Sequence, residues 1–366
     1  MVVVMPVRLS TDGVRTLRMR AQLLSGGQTG DAASAVSRVG ALQAQSASAV
    51  RLAVRARTLG VTGSDVDRAV AVERSVVRSW LMRGTLHLVA AEDFRWMSAL
   101  IGPTVARGYE RRRLELGLDD DLCARALDAL PMVLRGADPV PQSTVVARLA
   151  GAGVAVPDVP QAAVHLMLYA ATQGLVLRGP EAGREATYAP VKRWVARSAP
   201  RERPDALAEL ARRYLRGHGP AGERDFATWS GLPMRDAKEA FAAIRPDAEA
   251  VDADGQAMLV YDPPDDRQRP PVRLLGMFDE YLLGYRDRAL SVDDRDARRV
   301  QDGGIISAVV LVGGRAAGRW RLDGTGARRS LSVAWFDREP RGVRGGLAAE
   351  AADVGRFLGV EVDPAI

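Results

Sequence analysis

Two β-rich runs flank a short Arg83-Gly84 turn, Ser75 to Trp80 before it and Thr85 to Val89 after it. Runs of that length around a tight glycine turn predict an antiparallel hairpin. What comes before them limits the fold further. Arg15 to Leu24, Asp31 to Leu42 and Ala49 to Leu59 read as helices, and Ser64 with Asp67 forms a capping pair for a fourth that runs to about Glu73. Helices followed by a two-stranded ribbon are the element order of a winged helix. Glu92 and Asp93 then open a further helix through Leu100.

The same order recurs. Asp121 to Leu134, Ser143 to Ala150 and Pro160 to Gln173 read as helices, and Leu175 to Tyr188 reads as a longer wing around Gly179, Pro180 and Gly183. A third set starts at Pro204. Its first helix ends in Tyr214-Leu215-Arg216-Gly217-His218-Gly219-Pro220, which echoes Val133-Leu134-Arg135-Gly136-Ala137-Asp138-Pro139. Short helices follow each proline, Arg224 to Gly231 in the third set, and then a longer one from Met234, so the chain carries an internal repeat with drift. From about residue 246 the pattern changes to short apolar runs at Ala257 to Tyr261, Val272 to Leu275, Ile305 to Val312, Ala316 to Leu322 and Leu331 to Phe336. Such runs, broken by Gly, Pro and Asp, predict a small antiparallel sheet or barrel, closed by a helix from Val343 to Leu358. The acidic stretch Asp262-Pro-Pro-Asp-Asp266 reads as an exposed connector.

Composition decides which chemistries are open. The net charge is +6, from 51 basic and 45 acidic side chains, so any positive surface must be clustered. Lysine occurs only at Lys192 and Lys238, which leaves arginine as almost the sole base. Codon bias accounts for this, yet it also makes amine nucleophiles scarce and bidentate phosphate contacts easy. The single cysteine, Cys123, excludes an internal disulfide and a cysteine-based zinc cluster. His87, His165 and His218 lie far apart, with no metal-ligand spacing. Met1-Val-Val-Val-Met5 is too short for a signal core, and no run approaches the roughly 18 apolar residues of a membrane span. The expectation is a cytoplasmic protein, without cofactor or metal.

Within the helical part, Val39-Gly40-Ala41-Leu42-Gln43-Ala44-Gln45-Ser46-Ala47-Ser48 sets two glutamines two residues apart. On a helix, side chains at i and i+2 point about 200° apart. They share a side only where the backbone is extended. Ser46 and Ser48 are N-cap residues in type, so a break between helices here is reasonable. A neutral amide pair at such a turn is a poor nucleophile and a good holder of water; the bland alternative is two solvated amides at a helix end.

Three blocks, taken together, resemble a known family. Leu42-Gln43-Ala44-Gln45 is the first, and Arg83-Gly84-Thr85-Leu86-His87-Leu88-Val89 with Asp93-Phe94-Arg95-Trp96 is the second. The third is Phe278-Asp279-Glu280-Tyr281-Leu282-Leu283-Gly284-Tyr285-Arg286-Asp287-Arg288. In order and spacing they resemble the AlkZ/YcaQ family of winged-helix DNA glycosylases, over nearly the whole chain. The resemblance implies an α+β, mainly α, fold of three tandem winged-helix motifs plus a small C-terminal β-barrel, wrapped as a C around duplex DNA. On this chain the expected domains are 1–118 for the first winged helix with its turn and hairpin, 119–200 for the second and 201–246 for the third. Residues 247–366 would form the barrel or sheet with its terminal helix. It also implies excision of N7-alkylated purines, including bulky adducts and interstrand crosslinks, from double-stranded DNA. The family signature is Gln-apolar-Gln in one branch and Gln-apolar-Asp in another. Gln43-Ala44-Gln45 fits the first, the branch associated with self-resistance to DNA-alkylating natural products.

The residue types suit that chemistry. Cleaving an N-glycosidic bond builds oxocarbenium-like charge on the sugar, as in glycoside hydrolysis. An N7-alkylated purine is already cationic and leaves without a general acid. The catalyst must then position a water and set electron-rich oxygens near the sugar, which the carbonyls of Gln43 and Gln45 can do. Scarce lysine argues against a Schiff-base lyase, so a monofunctional, monomeric enzyme that leaves an abasic site is expected. The expected DNA contacts are Arg74, Arg78, Arg83 and His87 on the first hairpin, Arg111 and Arg112 in the cationic run that begins at Arg107, and Arg286 and Arg288 beside Asp287. Each has a plainer alternative: a structural histidine at His87, a solvated face for the run, internal ion pairing at Asp287. Asp279 and Glu280 read as fold-stabilising carboxylates ahead of acid–base catalysts, and the six tryptophans as core. The competing functional reading is a non-enzymatic winged-helix transcription regulator. A metal-dependent nuclease is weakened by the lack of a clear His/Asp cluster.

Overall fold

A computed structural model of the chain describes residues 7–136, 138–253, 255–261 and 270–364. The acidic stretch Asp262 to Asp266 lies outside the described residues. The chain divides into two compact units: 1–66 with 207–229 and 233–366, and 67–206 with 230–232.

In the first unit, helices Thr11–Ala21, Ala32–Val39 and Ala47–Arg55 form where the sequence places them, with shifted ends. The second of these stops at Val39 rather than at Leu42. Gly40 takes φ of +92°, a conformation that side-chain-bearing residues avoid, and turns the chain out of the helix. The helix start expected at Ser64 and Asp67 is one pair earlier. Thr62 and Asp65 cap each other, with the Asp65 carboxylate accepting the Thr62 N–H at 2.9 Å and the Thr62 hydroxyl accepting the Asp65 N–H at 3.2 Å. The helix they open is Gly63–Ala71.

Helices Arg203–His218, Glu223–Ser230 and Met234–Ile244 are followed by a hairpin of strands Glu249–Ala253 and Gln256–Val260, the first of which the apolar pattern does not mark. Strand Val7–Arg8 adds to that hairpin in parallel. Five further strands make a second sheet in the order Arg273–Leu275, Val309–Val312, Arg315–Asp323, Arg328–Trp335, Glu361–Pro364. Strands Gln301–Asp302 and Ile305–Ile306 pair as a separate ladder, so the expected small barrel is, among the described residues, three sheets with open strand order. Helix Arg344–Leu358 does not end the fold, because Glu361–Pro364 pairs in parallel with Arg328–Trp335. Leu274, Val310, Trp320, Leu331, Leu347, Ala351 and Val354 form the core between that sheet and the helix.

In the second unit, strands Val76–Trp80 and Leu86–Ala90 form the expected hairpin in the register Val76↔Ala90 to Trp80↔Leu86. Arg83, at φ of +56°, makes its turn. Strands Val176–Arg178 and Thr187–Pro190 pair as the second expected hairpin. The two hairpins join edge to edge through Arg78↔Arg178. Helix Ala91–Glu115 runs 25 residues through Pro103, far beyond Leu100, so the cationic stretch from Arg107 lies on this helix and not after it. Helices Asp120–Val133, Gln142–Gly151 and Ala162–Thr172 agree with the sequence reading within one or two residues at each end.

Candidate active site

Between Gly40 and the next helix the backbone is extended at Leu42–Gln43, and helix Ala47–Arg55 restarts with Ser46 as its N-cap. The Ser46 hydroxyl accepts the Ala49 N–H at 3.3 Å. Gln43 is buried, 8% exposed, while Gln45 stands exposed. The turn therefore sets one buried and one exposed glutamine two residues apart.

What holds this turn comes from 237 residues away. The carboxylate of Glu280, itself 1% exposed, accepts the backbone N–H of Gln43 at 3.3 Å. Its neighbour Asp279 caps the short helix Glu280–Leu283 by accepting the Tyr281 N–H at 2.9 Å. Asp279 also receives two hydrogen bonds, at 2.9 and 2.8 Å, from the guanidinium of Arg57. Both side chains are fully buried. Arg57 also donates to the Gln22 amide oxygen at 2.7 Å, and Gln22 donates to the Tyr285 hydroxyl at 3.4 Å. The block from Phe278 onward thus serves as a bracket: Asp279 fixes it to the end of helix Ala47–Arg55, and Glu280 fixes the glutamine turn. Behind the turn, Gly217 lets helix Arg203–His218 approach closely, since a Cβ there would lie 2.7 Å from the Val39 carbonyl oxygen. The ring of Tyr285 lies under the Arg18 guanidinium at 3.7 Å, and burial pushes its hydroxyl well above the usual tyrosine range.

The expected DNA contacts divide between the units. In the first, Arg286 is exposed and its backbone N–H donates to Asp225 at 3.0 Å. Arg288 is half-buried and binds the Leu282 carbonyl and the Gln301 side chain. Both line a cavity of about 940 Å³ that also holds Arg224 and Arg245.

In the second unit the hairpin charges are largely engaged within the protein. Arg78 is buried and pairs with Glu181 at 3.1 Å, opposite a second buried arginine, Arg178. Arg74 donates to the Arg193 carbonyl at 3.2 Å and stacks on Trp194 at 4.6 Å. Arg83 is half-buried at the turn. His87 is fully buried, with Nδ1 at 2.9 Å from the Thr85 carbonyl oxygen. That contact makes Nδ1 the protonated nitrogen of a neutral ring. Burial, aided by the charge of Arg83, pushes its pKa down to about 3. Arg111 and Arg112 are exposed on helix Ala91–Glu115, both paired with Glu115. Among the described residues no three His, Cys, Asp or Glu side chains gather in a metal-binding group, and no helix is long and apolar enough to cross a membrane.

The Arg57–Asp279 pair and the Glu280 contact are not legible by spacing. Only the block Phe278 to Arg288 marks that region in the sequence, and it gives no partner.

A family model described as DNA glycosylase AlkZ-like matches residues 36–357. The chain belongs to the AlkZ-like DNA glycosylase family. The span takes in both the glutamine turn and the bracket, and the chain is accordingly a DNA glycosylase. An interstrand DNA cross-link repair glycosylase of Streptomyces sahachiroi is 26% identical over 365 residues, covering 94% of this chain and 95% of that protein. The solved structure of the Streptomyces sahachiroi DNA glycosylase AlkZ matches with a TM-score of 0.77 at 22% identity, across 98% of this chain and 99% of that one. The glycosylase therefore shares that α+β fold.

Proposed function

We propose that this glycosylase is monofunctional and hydrolyses the N-glycosidic bond of cationic N7-alkylated purines in duplex DNA, including bulky adducts and interstrand crosslinks. Gln43 and Gln45 are its catalytic pair. The observation that carries the reading is the turn itself: an extended segment with Gln43 shielded, Gln45 exposed, and the Gln43 backbone held by a buried carboxylate. A water held by the two amide oxygens adds to C1′ as the bond to the purine breaks. The bonding pair neutralises the cationic base, and the water's proton passes to solvent. Amide oxygens stabilise the developing sugar cation less than a carboxylate would, which restricts the enzyme to lesions that already carry their own leaving-group charge.

Crosslink repair by the Streptomyces relative supports extending the substrate to crosslinked adducts and the role to self-resistance against an alkylating natural product. Three winged-helix units, with boundaries near residues 118, 200 and 246, are the organisation we infer, acting as a cytoplasmic monomer. Of the DNA contacts, exposure favours Arg111, Arg112 and Arg286, with Arg83 and Arg288 partly presented. Arg74, Arg78 and His87 would act on DNA by shaping the hairpin.

The direct test incubates the protein with a duplex carrying N7-methylguanine and follows alkali-labile abasic sites. Strand breaks after alkali, and none before it, are expected. An intact strand after alkali rejects the substrate class, and breaks without alkali reject the monofunctional mechanism.

A further inference from the structure

A cavity of about 490 Å³ opens in the first unit, between helix Thr11–Ala21, the loop that follows it, and the C-terminal ends of helices Ala32–Val39 and Arg203–His218. Arg20, Arg38 and Arg216 line it, together with the hydroxyl-bearing Ser25, Thr29 and Tyr261, and its lining among the described residues includes no carboxylate. Many surface arginines sit against acids, as Arg111 does on Glu115, Arg328 on Glu361 and Arg344 on Glu339. Arg38 and Arg216, by contrast, have no carboxylate partner among the described residues. The Nε of Arg38 and the hydroxyl of Tyr261 are buried atoms without a hydrogen-bond partner there. The Arg216 guanidinium rests 5.8 Å from the centre of the Tyr261 ring. Among the described residues, the acids near Tyr261 are already engaged, with Glu209 held by Arg213 at 2.9 Å and Asp247 facing Arg212 at 3.7 Å. On the loop, Gly26 and Gly27 adopt φ of +77° and +70°, and a Cβ at Gly26 would meet nothing within 4 Å, so the rim is stripped of side chains on that side.

We propose that this cavity is a phosphate-binding site. Its donor set has the chemistry of one: the Arg38 and Arg216 guanidinium groups without internal acids, hydroxyl donors, and an aromatic ring that keeps one guanidinium in place. Its location favours the DNA backbone as the source. Arg38 precedes Gln43 by five residues, so the two Cα atoms lie within about 18 Å even if the chain between them is extended. One strand of duplex presents a phosphate about every 3.4 Å along the axis, which puts several within that reach of the excised base. A free phosphorylated small molecule has the same chemistry and is the other source. The DNA source rests on the reading of the chain as a glycosylase that works at Gln43 and Gln45. The test therefore uses undamaged duplex, for which excision is not needed.

Binding of an undamaged duplex to the full chain is measured against salt concentration by fluorescence anisotropy, and inorganic tripolyphosphate is titrated by calorimetry. Arg38→Gln/Arg216→Gln is compared with wild type and with Arg328→Gln, whose partner is Glu361. Thermal melting of each variant checks that the fold is kept. A backbone site predicts that the double substitution lowers the slope of log affinity against log salt by about one to two, with Arg328→Gln unchanged. A site for a free phosphorylated compound predicts an unchanged slope, with stoichiometric tripolyphosphate binding by wild type that the double substitution removes. An unchanged slope with no tripolyphosphate binding by wild type overturns the proposal, whether or not N7-methylguanine is excised.

Discussion

The glutamine turn and the first hairpin both rest on buried charge, and they use it in opposite ways. At the turn, buried carboxylates reach outward along the chain: Asp279 clamps Arg57, and Glu280 holds the backbone of Gln43, leaving Gln45 in solvent. At the hairpin, three of the four groups expected to meet DNA are engaged within the protein. Arg78 is neutralised by Glu181, Arg74 lies on Trp194, and His87 is sealed away neutral. The difference teaches that a polar residue in a functional block is not thereby a contact. Burial and partners separate the side chains engaged within the protein from those that stay exposed.

The largest effect that would sharpen this contrast is at Asp279. Removing one partner of a fully buried ion pair leaves the other charge uncompensated and costs about 3–5 kcal/mol. Asp279→Ala should lower the stability measured by denaturant unfolding by that much, and a loss under about 1 kcal/mol would remove Asp279 from the frame.

His87 gives a comparable test in the hairpin, through pH. Its folded pKa of about 3 lies below the ordinary value of 6.5. Its contribution to stability is therefore full above pH 6.5 and is lost as pH falls toward 3, because the unfolded chain takes up the proton first. The loss amounts to a few kcal/mol, on the order of 1.4 per pKa unit. His87→Leu should flatten the stability profile across that window, while near pH 7.5 its excision rate changes little. A variant that keeps the wild-type pH slope, or loses excision with its fold intact, would move His87 from frame to site.

Glu280→Ala comes next. It should cost about 1–3 kcal/mol for an unmade buried hydrogen bond and slow excision by loosening the Gln43 backbone. Substrate binding should be less affected than the chemical step. The smallest effect is at the exposed arginines. Arg111→Gln should change stability by less than about 0.5 kcal/mol, since its pair with Glu115 is solvent-exposed. It should lower the salt slope of DNA binding by about one if it meets a phosphate.

Local chemistry explains which parts of this are legible in the sequence. The break at Gly40 and the cap at Ser46 are short-range, so the extended glutamine turn can be expected from residues 39 to 48. Hairpin 76–90 is legible for the same reason. The cap at Thr62 and Asp65 is easily placed one pair late, because Ser64 and Asp67 offer the same pattern two residues on. Helix Ala91–Glu115 reads short because Pro103 resembles a stop, whereas the chain continues through it. The pairs that organise the site span 222 and 237 residues, and no local pattern encodes which arginine or backbone amide will meet Asp279 or Glu280. Strand Glu361–Pro364 escapes a sequence reading because four residues with mixed polarity carry little strand signal until a neighbour supplies the ladder.

The central claim is that Gln43 and Gln45 carry the chemistry while the bracket only holds them. Single-turnover excision of N7-methylguanine by wild type and Gln45→Ala, with melting temperature recorded alongside, tests it most directly. Because Gln45 is exposed, the substitution should leave stability within about 0.5 kcal/mol. The excision rate should fall by about 10²–10³, as for loss of one group that stabilises charge in the transition state. An excision rate equal to that of wild type, in a protein that melts at the same temperature, would contradict the account.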